Sequence, residues 1–84
     1  KQPGITFEDC RAHDVDFREA ILSRATFSGT DLTNSLFANT TLTGANFNGA
    51  THYDIDVKNN NIKGAIFCRY EAVSLLTSLG IKLV

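Results

Sequence analysis

The sequence predicts a solenoid whose chain changes direction every five residues, and three observations predict it. All six phenylalanines of the 84-residue chain fall in one phase of a five-residue frame. Small residues recur two positions before that phase, and glycine, asparagine or aspartate recur two positions after it, where turns are tolerated. A helix repeats every 3.6 residues and a strand every 2, so neither holds this phase from Ile5 to Phe67. A chain that keeps the phase must turn once in every unit.

The large apolar residues of this phase form the predicted core. They are Phe7, Phe17, Leu22, Phe27, Leu32, Phe37, Leu42, Phe47, Val57, Ile62 and Phe67. Ala12 and His52 interrupt the series. We interpret His52 as an imidazole that pairs locally, or as the mark of a distorted turn near Thr51 and Tyr53, rather than as a ligand.

Two five-residue units carry a recognisable consensus. Ala25-Thr26-Phe27-Ser28-Gly29 and Ala45-Asn46-Phe47-Asn48-Gly49 follow the pattern A-(D/N)-L-x-x, and in this the chain resembles the pentapeptide repeat family. The resemblance implies an all-β fold, a right-handed quadrilateral β-helix with four units in each coil. Residues twenty apart should then stack, as the columns Phe7, Phe27, Phe47, Phe67 and Leu22, Leu42, Ile62 suggest. Residues 1–69 are therefore expected to form about three coils of β-helix.

A different pattern follows Phe67. Ala72, Leu75, Leu76 and Leu79 recur at i, i+3, i+4 and i+7, which predicts one apolar side of a short α-helix. Gly80 is a natural end for that helix. The last four residues, 81–84, are expected to form an extended apolar strand. Residues 70–84 are thus predicted to cap the β-helix.

The same C-terminal segment suggests self-association. Residues 70–81, and 56–64 before them, are similar to the end of the Qnr-type quinolone-resistance proteins, and this implies a two-fold dimer contact through the helix and tail. The expected interface residues are Tyr70, Ala72, Leu75, Leu76, Leu79, Ile81, Leu83 and Val84. The alternative is that the helix only covers the last coil and shields Phe67.

Charge is nearly balanced over the chain as a whole. Eight lysines and arginines stand against nine acids, a net charge of −1, which gives no basic field for nucleic acid. When the charged residues are assigned to the four sides of the expected coil, however, they predict one acidic face. Another side, with Arg24 and Lys63, is predicted to be weakly basic. The acidic face comprises Glu8, Asp9, Asp14, Asp31 and Asp54. It is either a phosphate-like stripe or ordinary solvating charge.

The sequence contains few motifs that indicate catalysis. The sequence has no glycine-rich phosphate loop, no nucleophile elbow and no Cys or His spacing typical of metal sites, so we expect no enzyme activity, cofactor or metal. Cys10, expected to face inward, and Cys68 fall about three coils apart, roughly 14 Å at the spacing of adjacent strands. That separation exceeds disulfide reach. Reduced thiols predict a cytoplasmic protein, and no apolar run is long enough to span a membrane.

The functional expectation comes from the resemblance to Qnr-type proteins. It implies a non-catalytic homodimer that mimics DNA, binds DNA gyrase or topoisomerase IV and protects the enzyme from quinolones, without binding nucleic acid or membrane itself. The unbroken frame lacks the projecting loops of several such proteins. Because the chain opens on lysine and has no methionine, we also expect it to be part of a longer product. The alternative function is a structural or protein-interaction module with no topoisomerase target.

Overall fold

A computed structural model describes residues 4–81 and shows a repeat β-helix. Residues twenty apart pair as parallel β-bridges on all four sides, so one coil contains four five-residue units. The bridges on the four sides are Thr6 to Thr26 to Asn46, Arg11 to Asp31 to Thr51, Asp16 to Leu36, and Ile21 to Thr41 to Asn61. Two segments are extended enough to form strands, β1 (Asn46–Phe47) and β2 (Ile66–Phe67), which pair in parallel with Asn46 opposite Ile66. The right-handed sense of the coil stays a prediction of the resemblance.

Backbone hydrogen bonds run along the axis of the rod. The N–H of Phe27 donates to the carbonyl of Asn46 in the next coil at 2.7 Å, and the N–H of Asn46 donates back to Ala25 at 2.8 Å. This alternation recurs from coil to coil and satisfies the polar backbone that the narrow coils would otherwise bury. The molecule measures 41 × 23 × 23 Å.

Each coil turns its corners with tight turns. The carbonyl of Leu22 accepts a hydrogen bond from the N–H of Ala25 at 3.0 Å, and Arg24 between them has φ +62°. A positive φ at this third position of a turn is the mark of type II geometry. Glu19 also adopts it, with φ +63°. Glu19 and Arg24 are not among the residue types that favour a positive φ. The hydrogen bonds between successive coils therefore hold them in this conformation.

The core is a stack of aromatic rings. Phe27 and Phe47 are fully buried, with ring centroids 4.8 Å apart and planes 6° from parallel. Phe67 continues the stack at 4.9 Å from Phe47, and the neighbouring column meets it edge to face, with Phe17 5.8 Å from Phe27. Such aromatic pairs add about 0.5–1.5 kcal/mol each to the free energy gained by burial. The columns loosen at the two ends of the rod, where Phe7, Val57, Ile62 and Phe67 are half-buried.

Four buried polar side chains lie at the inward positions that small residues mostly occupy, and three of them, Thr30, Ser35 and Thr40, were expected there only as small residues. The fourth is Asn60. Each bonds backbone of the preceding coil: Thr40 Oγ1 donates to the carbonyl of Phe17 at 2.8 Å, and Ser35 Oγ accepts from the N–H of Val15 at 3.2 Å. These side chains join successive coils at the corners, in addition to main-chain hydrogen bonds such as that from the N–H of Arg24 to the carbonyl of Thr43 at 2.8 Å.

The third coil departs from the five-residue phase between Thr51 and residue 58. His52, expected to occupy an inward position, is exposed with φ +59°, and Tyr53 is buried in its place. The expectation of an inward His52 is therefore wrong, whereas the expectation of a distorted turn is confirmed. Tyr53 is the larger apolar ring, and it packs 5.8 Å from Phe47 and 5.5 Å from Phe67. Ile55, two residues after Tyr53, is also buried, at a position that elsewhere in the repeat holds a small residue.

Helix α1 (Val73–Thr77) follows the last coil and ends two residues before Leu79, the last residue of the predicted apolar pattern. Leu75 is buried and Ala72 is half-buried against the core, but Leu76 and Leu79 are exposed. Only two of the four residues therefore face the core, so the predicted apolar side is not buried as a whole. Ser78 Oγ accepts a hydrogen bond from the N–H of Val57 at 3.3 Å and ties the segment to the distorted coil. The predicted strand falls mainly outside the described residues.

Candidate interaction surface

The acidic residues concentrate in the first coil. Five of the nine acids, Glu8, Asp9, Asp14, Asp16 and Glu19, lie there against Arg11 and Arg18, which makes five negative and two positive charges, or −3. Residues 24–43 contain one base and one acid, and residues 44–63 contain two of each, so both are neutral. The negative charge therefore gathers at one end of the rod.

Asp31, at the centre of the predicted acidic face, is enclosed by hydrogen-bond donors. His13 Nε2 lies 2.9 Å from one carboxylate oxygen and His52 Nδ1 lies 3.1 Å from the other. Thr33 Oγ1 donates to the same carboxylate at 2.6 Å. The Thr33 hydroxyl, followed by His13, holds the pKa of Asp31 well below its usual range. Asp31 thus links three successive coils, and its charge is less available to a partner.

Asp16 is also paired. Arg18 Nε and Nη2 each lie 2.9 Å from an oxygen of the Asp16 carboxylate, a two-point contact between neighbours. The side-chain hydrogen bond from Arg18 lowers the pKa of Asp16 to about 2. Among residues 4–81, no ion pair involves the exposed acids that remain, which are Glu8, Asp9, Asp14, Glu19, Asp54 and Glu71. Four of these six lie in the first coil, so the unpaired negative charge is found mainly there.

The C-terminal end presents apolar side chains instead. We call the exposed set Ile66, Tyr70, Val73, Leu76, Leu79 and Ile81 the C-terminal apolar set. Tyr70 is 82% exposed and Ile66 is 54% exposed, which is unusual for large apolar residues so close together in sequence. Of the predicted interface residues, Ala72 and Leu75 face the core instead, and Leu83 and Val84 lie outside the described residues.

The cysteines are free, and Cys10 is exposed although it occupies the inward phase. It lies in the first coil, where no preceding coil among residues 4–81 covers it, and its thiol donates to the Glu8 carbonyl at 3.2 Å. No three His, Cys, Asp or Glu side chains in the described part of the chain are placed to hold a metal ion. Nor does that part contain a helix of the length and apolarity needed to cross a membrane.

The comparison with protein families decides what kind of repeat this is. A family model described as "Pentapeptide repeats" matches residues 4–37 and 20–51 with eight copies, which together cover more than half of the chain. The chain belongs to the pentapeptide repeat family. No curated protein matched this pentapeptide repeat protein by sequence.

Solved structures of QnrB1, a plasmid-mediated fluoroquinolone resistance protein, resemble this pentapeptide repeat protein. A trypsin-treated variant has a TM-score of 0.53 at 15% identity, covering 88% of this chain and 45% of that chain. Full-length QnrB1 has a TM-score of 0.44 at 24% identity, covering 90% of this chain and 40% of that one. The first likeness supports the fold. The chain spans less than half the length of these structures.

Proposed function

We propose that this pentapeptide repeat protein is a non-catalytic, cytoplasmic partner of a type II topoisomerase, DNA gyrase or topoisomerase IV, and protects that enzyme from quinolones. Its resemblance to the Qnr-type proteins supports the target. The observation that carries the proposal is the free negative charge on a straight-sided rod. Glu8, Asp9, Asp14 and Glu19 are exposed on the first coil, and no ion pair within residues 4–81 neutralises them.

The amount of charge limits how this protein would imitate DNA. A duplex carries one negative charge per about 1.7 Å of its axis, or roughly 24 over a length of 41 Å. The first coil of this protein carries a net charge of −3. Imitation of DNA by this segment therefore depends on rod shape together with a short acidic region, rather than on a continuous stripe along the molecule.

This sparse charge favours one alternative, a protein-interaction module with no topoisomerase target. Two of the nine acids are already engaged within the molecule, Asp31 by imidazoles and a hydroxyl and Asp16 by Arg18. Charges held in this way stabilise the coils rather than recognise a basic partner. In this alternative the exposed acids serve solubility.

We further propose that two copies associate through the C-terminal apolar set. Each of its six side chains is at least 42% exposed, and burying such a side chain contributes about 1.5–3 kcal/mol. A symmetric contact would cover the same residues on both copies. It would also place the two acidic first coils at opposite ends of the assembly.

A supercoiling assay tests the topoisomerase proposal. Purified protein added to gyrase inhibited by a quinolone should restore supercoiling in a dose-dependent way. Combined substitution of Asp14→Asn and Glu19→Gln should reduce that protection, whereas Glu71→Gln, which removes a charge outside the β-helix, should leave it intact. Failure of the unmodified protein to restore supercoiling at any dose would favour the interaction module.

A further inference from the structure

We propose that residues 51–58 form a two-state switch, in which His52 and Tyr53 exchange the inward position according to the charge on His52. In the state described above, which we call the shifted register, Tyr53 points inward and His52 points outward. In the other, which we call the in-frame register, His52 occupies the inward phase that the rest of the chain keeps. The proposal concerns the fold itself and does not depend on the topoisomerase proposal.

The residues that flank this segment keep the five-residue phase in both states. Thr51 pairs with Asp31 on one side, and Asn61 pairs with Thr41 on the other. The inward positions of Ile55 and Asn60 are also in phase. A change of register therefore needs only a local rearrangement, without any slip of the coils that follow.

The shifted register leaves several polar groups unsatisfied. The Tyr53 hydroxyl is buried without a hydrogen-bond partner within the described residues, and burial raises the pKa of Tyr53 to about 12. No bridge joins Leu36 to Asp56 in the part of the chain that the structure describes, although the other sides of these coils are paired. The N–H of Phe37 accordingly finds no backbone acceptor among residues 4–81. An unpaired buried group costs about 1–3 kcal/mol.

Two sets of contacts offset these costs. The Tyr53 ring packs against Phe47 and Phe67, with centroids 5.8 and 5.5 Å away. His52 Nδ1 lies 3.1 Å from Asp31, and its φ of +59° is the conformation that releases Tyr53 toward the core. The switch requires that these gains and costs nearly balance, so that the two registers are close in free energy.

The charge on His52 favours one register over the other. An imidazolium faces Asp31 in the shifted register, but it would be buried without a counter-charge in the in-frame register, at high cost. A neutral imidazole removes most of that penalty. Imidazoles in proteins commonly change charge between pH 5 and 8. Acidic conditions should therefore favour the shifted register, and alkaline conditions the in-frame one.

Other charged groups adjoin the switch. Asp31 also contacts His13, and its backbone pairs with Arg11. Asp54, Asp56 and Lys58 lie on the segment itself. On the C-terminal side, Glu71 and Cys68 are close enough to raise the pKa of Tyr53 further. None of these groups moves from water into the core when the register changes, whereas the His52 side chain does.

The test is NMR spectroscopy of the full chain between pH 5 and 8.5, with two opposed variants. His52→Leu should adopt the in-frame register at every pH, so the Tyr53 ring loses its contacts with Phe47 and amide exchange at Phe37 slows by roughly two- to tenfold. His52→Lys should keep the shifted register throughout. His13→Gln is the control, because it removes an Asp31 partner outside the segment and should preserve the pH dependence.

The proposal predicts that the unmodified protein resembles His52→Lys at pH 5 and moves toward His52→Leu at pH 8.5. Unchanged signals from residues 5–45 would show that each variant is folded. If the Tyr53 to Phe47 contacts persist in folded His52→Leu at every pH, the proposal is wrong. It is also wrong if the unmodified protein shows the same Tyr53 contacts and Phe37 exchange at both ends of the pH range.

Discussion

Asn60 Nδ2 donates to the carbonyl oxygen of Phe37 at 3.1 Å, across the junction between two coils. Its Oδ1 accepts from the N–H of Thr40 at 3.0 Å, so a single amide satisfies both a donor and an acceptor of the coil before it. Thr40 repeats the donating half of this arrangement one coil earlier, on the carbonyl of Phe17. Buried side chains thus add inter-coil hydrogen bonds at the corners of the β-helix to those that the main chain makes.

Thr40→Val should destabilise the protein by about 1–3 kcal/mol, because the Phe17 carbonyl would lose a buried donor without any change in side-chain size. Urea unfolding followed by circular dichroism would measure the change. The matched control is Thr43→Val, since Thr43 is only half-buried and makes no side-chain hydrogen bond among residues 4–81. Equal losses for the two variants would contradict the role of Thr40.

Phe27→Ala should cost about 3–5 kcal/mol, because the ring is fully buried and stacks between Phe7 and Phe47. Phe7→Ala should cost clearly less, since Phe7 is half-buried at the end of the rod and has a stacked neighbour on one side within the described chain. Thermal or urea unfolding would rank the two. A larger loss at Phe7 would mean that the stack is not most stable at its centre.

The Asp31 carboxylate should contribute stability that disappears in acid. Its folded pKa lies below the ordinary value of 3.8, so the contribution is present above pH 3.8 and is lost as the pH falls through the lower folded value. Asp31→Asn should therefore be less stable than the unmodified protein near neutral pH, and the difference should shrink below about pH 4. Unfolding curves across that range would measure it.

The same pKa can be tested by changing its first cause. Thr33→Val removes the hydroxyl that donates to Asp31 at 2.6 Å and should raise the Asp31 pKa toward 3.8, as followed by NMR titration of the carboxyl carbon. His13→Asn should raise it less, because His13 is the second cause. If Thr33→Val left the pKa unchanged, the hydroxyl would not be the main source of the shift.

Aspartate substitutions in α1 separate assembly from folding. Leu76→Asp should convert a dimer to monomers without unfolding, because Leu76 is 42% exposed in the single chain. Leu75→Asp should instead unfold the C-terminal segment, because Leu75 is buried against the core. Light scattering and circular dichroism distinguish these outcomes.

The control for assembly is Thr77→Asp, which places the same charge on an exposed position of the same helix. It should leave the dimer intact, apart from any effect of charge alone. Light scattering that shows the unmodified protein as a monomer at high concentration would contradict the proposed contact.

Much of the β-helix could be predicted from the sequence, because the repeating turn makes the direction of a side chain a local property. A residue in the phase of Phe27 faces inward whichever coil it belongs to. The same reasoning failed at His52, since it assumed that the phase held in every unit. It also treated Thr30, Ser35 and Thr40 as merely small, although hydroxyls at buried positions were a signal that backbone groups needed partners there.

By itself, the sequence determined the five-residue period and the inward phase of the large apolar residues, because these follow from a turn that each unit encodes within its own few residues. The pairing of residues twenty apart was implied by the family resemblance and is confirmed by the bridges between coils. Only the tertiary structure decided that Tyr53 takes the inward position in place of His52, that Asp31 gathers two imidazoles from adjacent coils, and that Leu75 is buried whereas Leu76 is exposed. Those outcomes depend on contacts between different coils, such as the packing of Tyr53 against Phe67, and no local pattern records which side chain fills the interior.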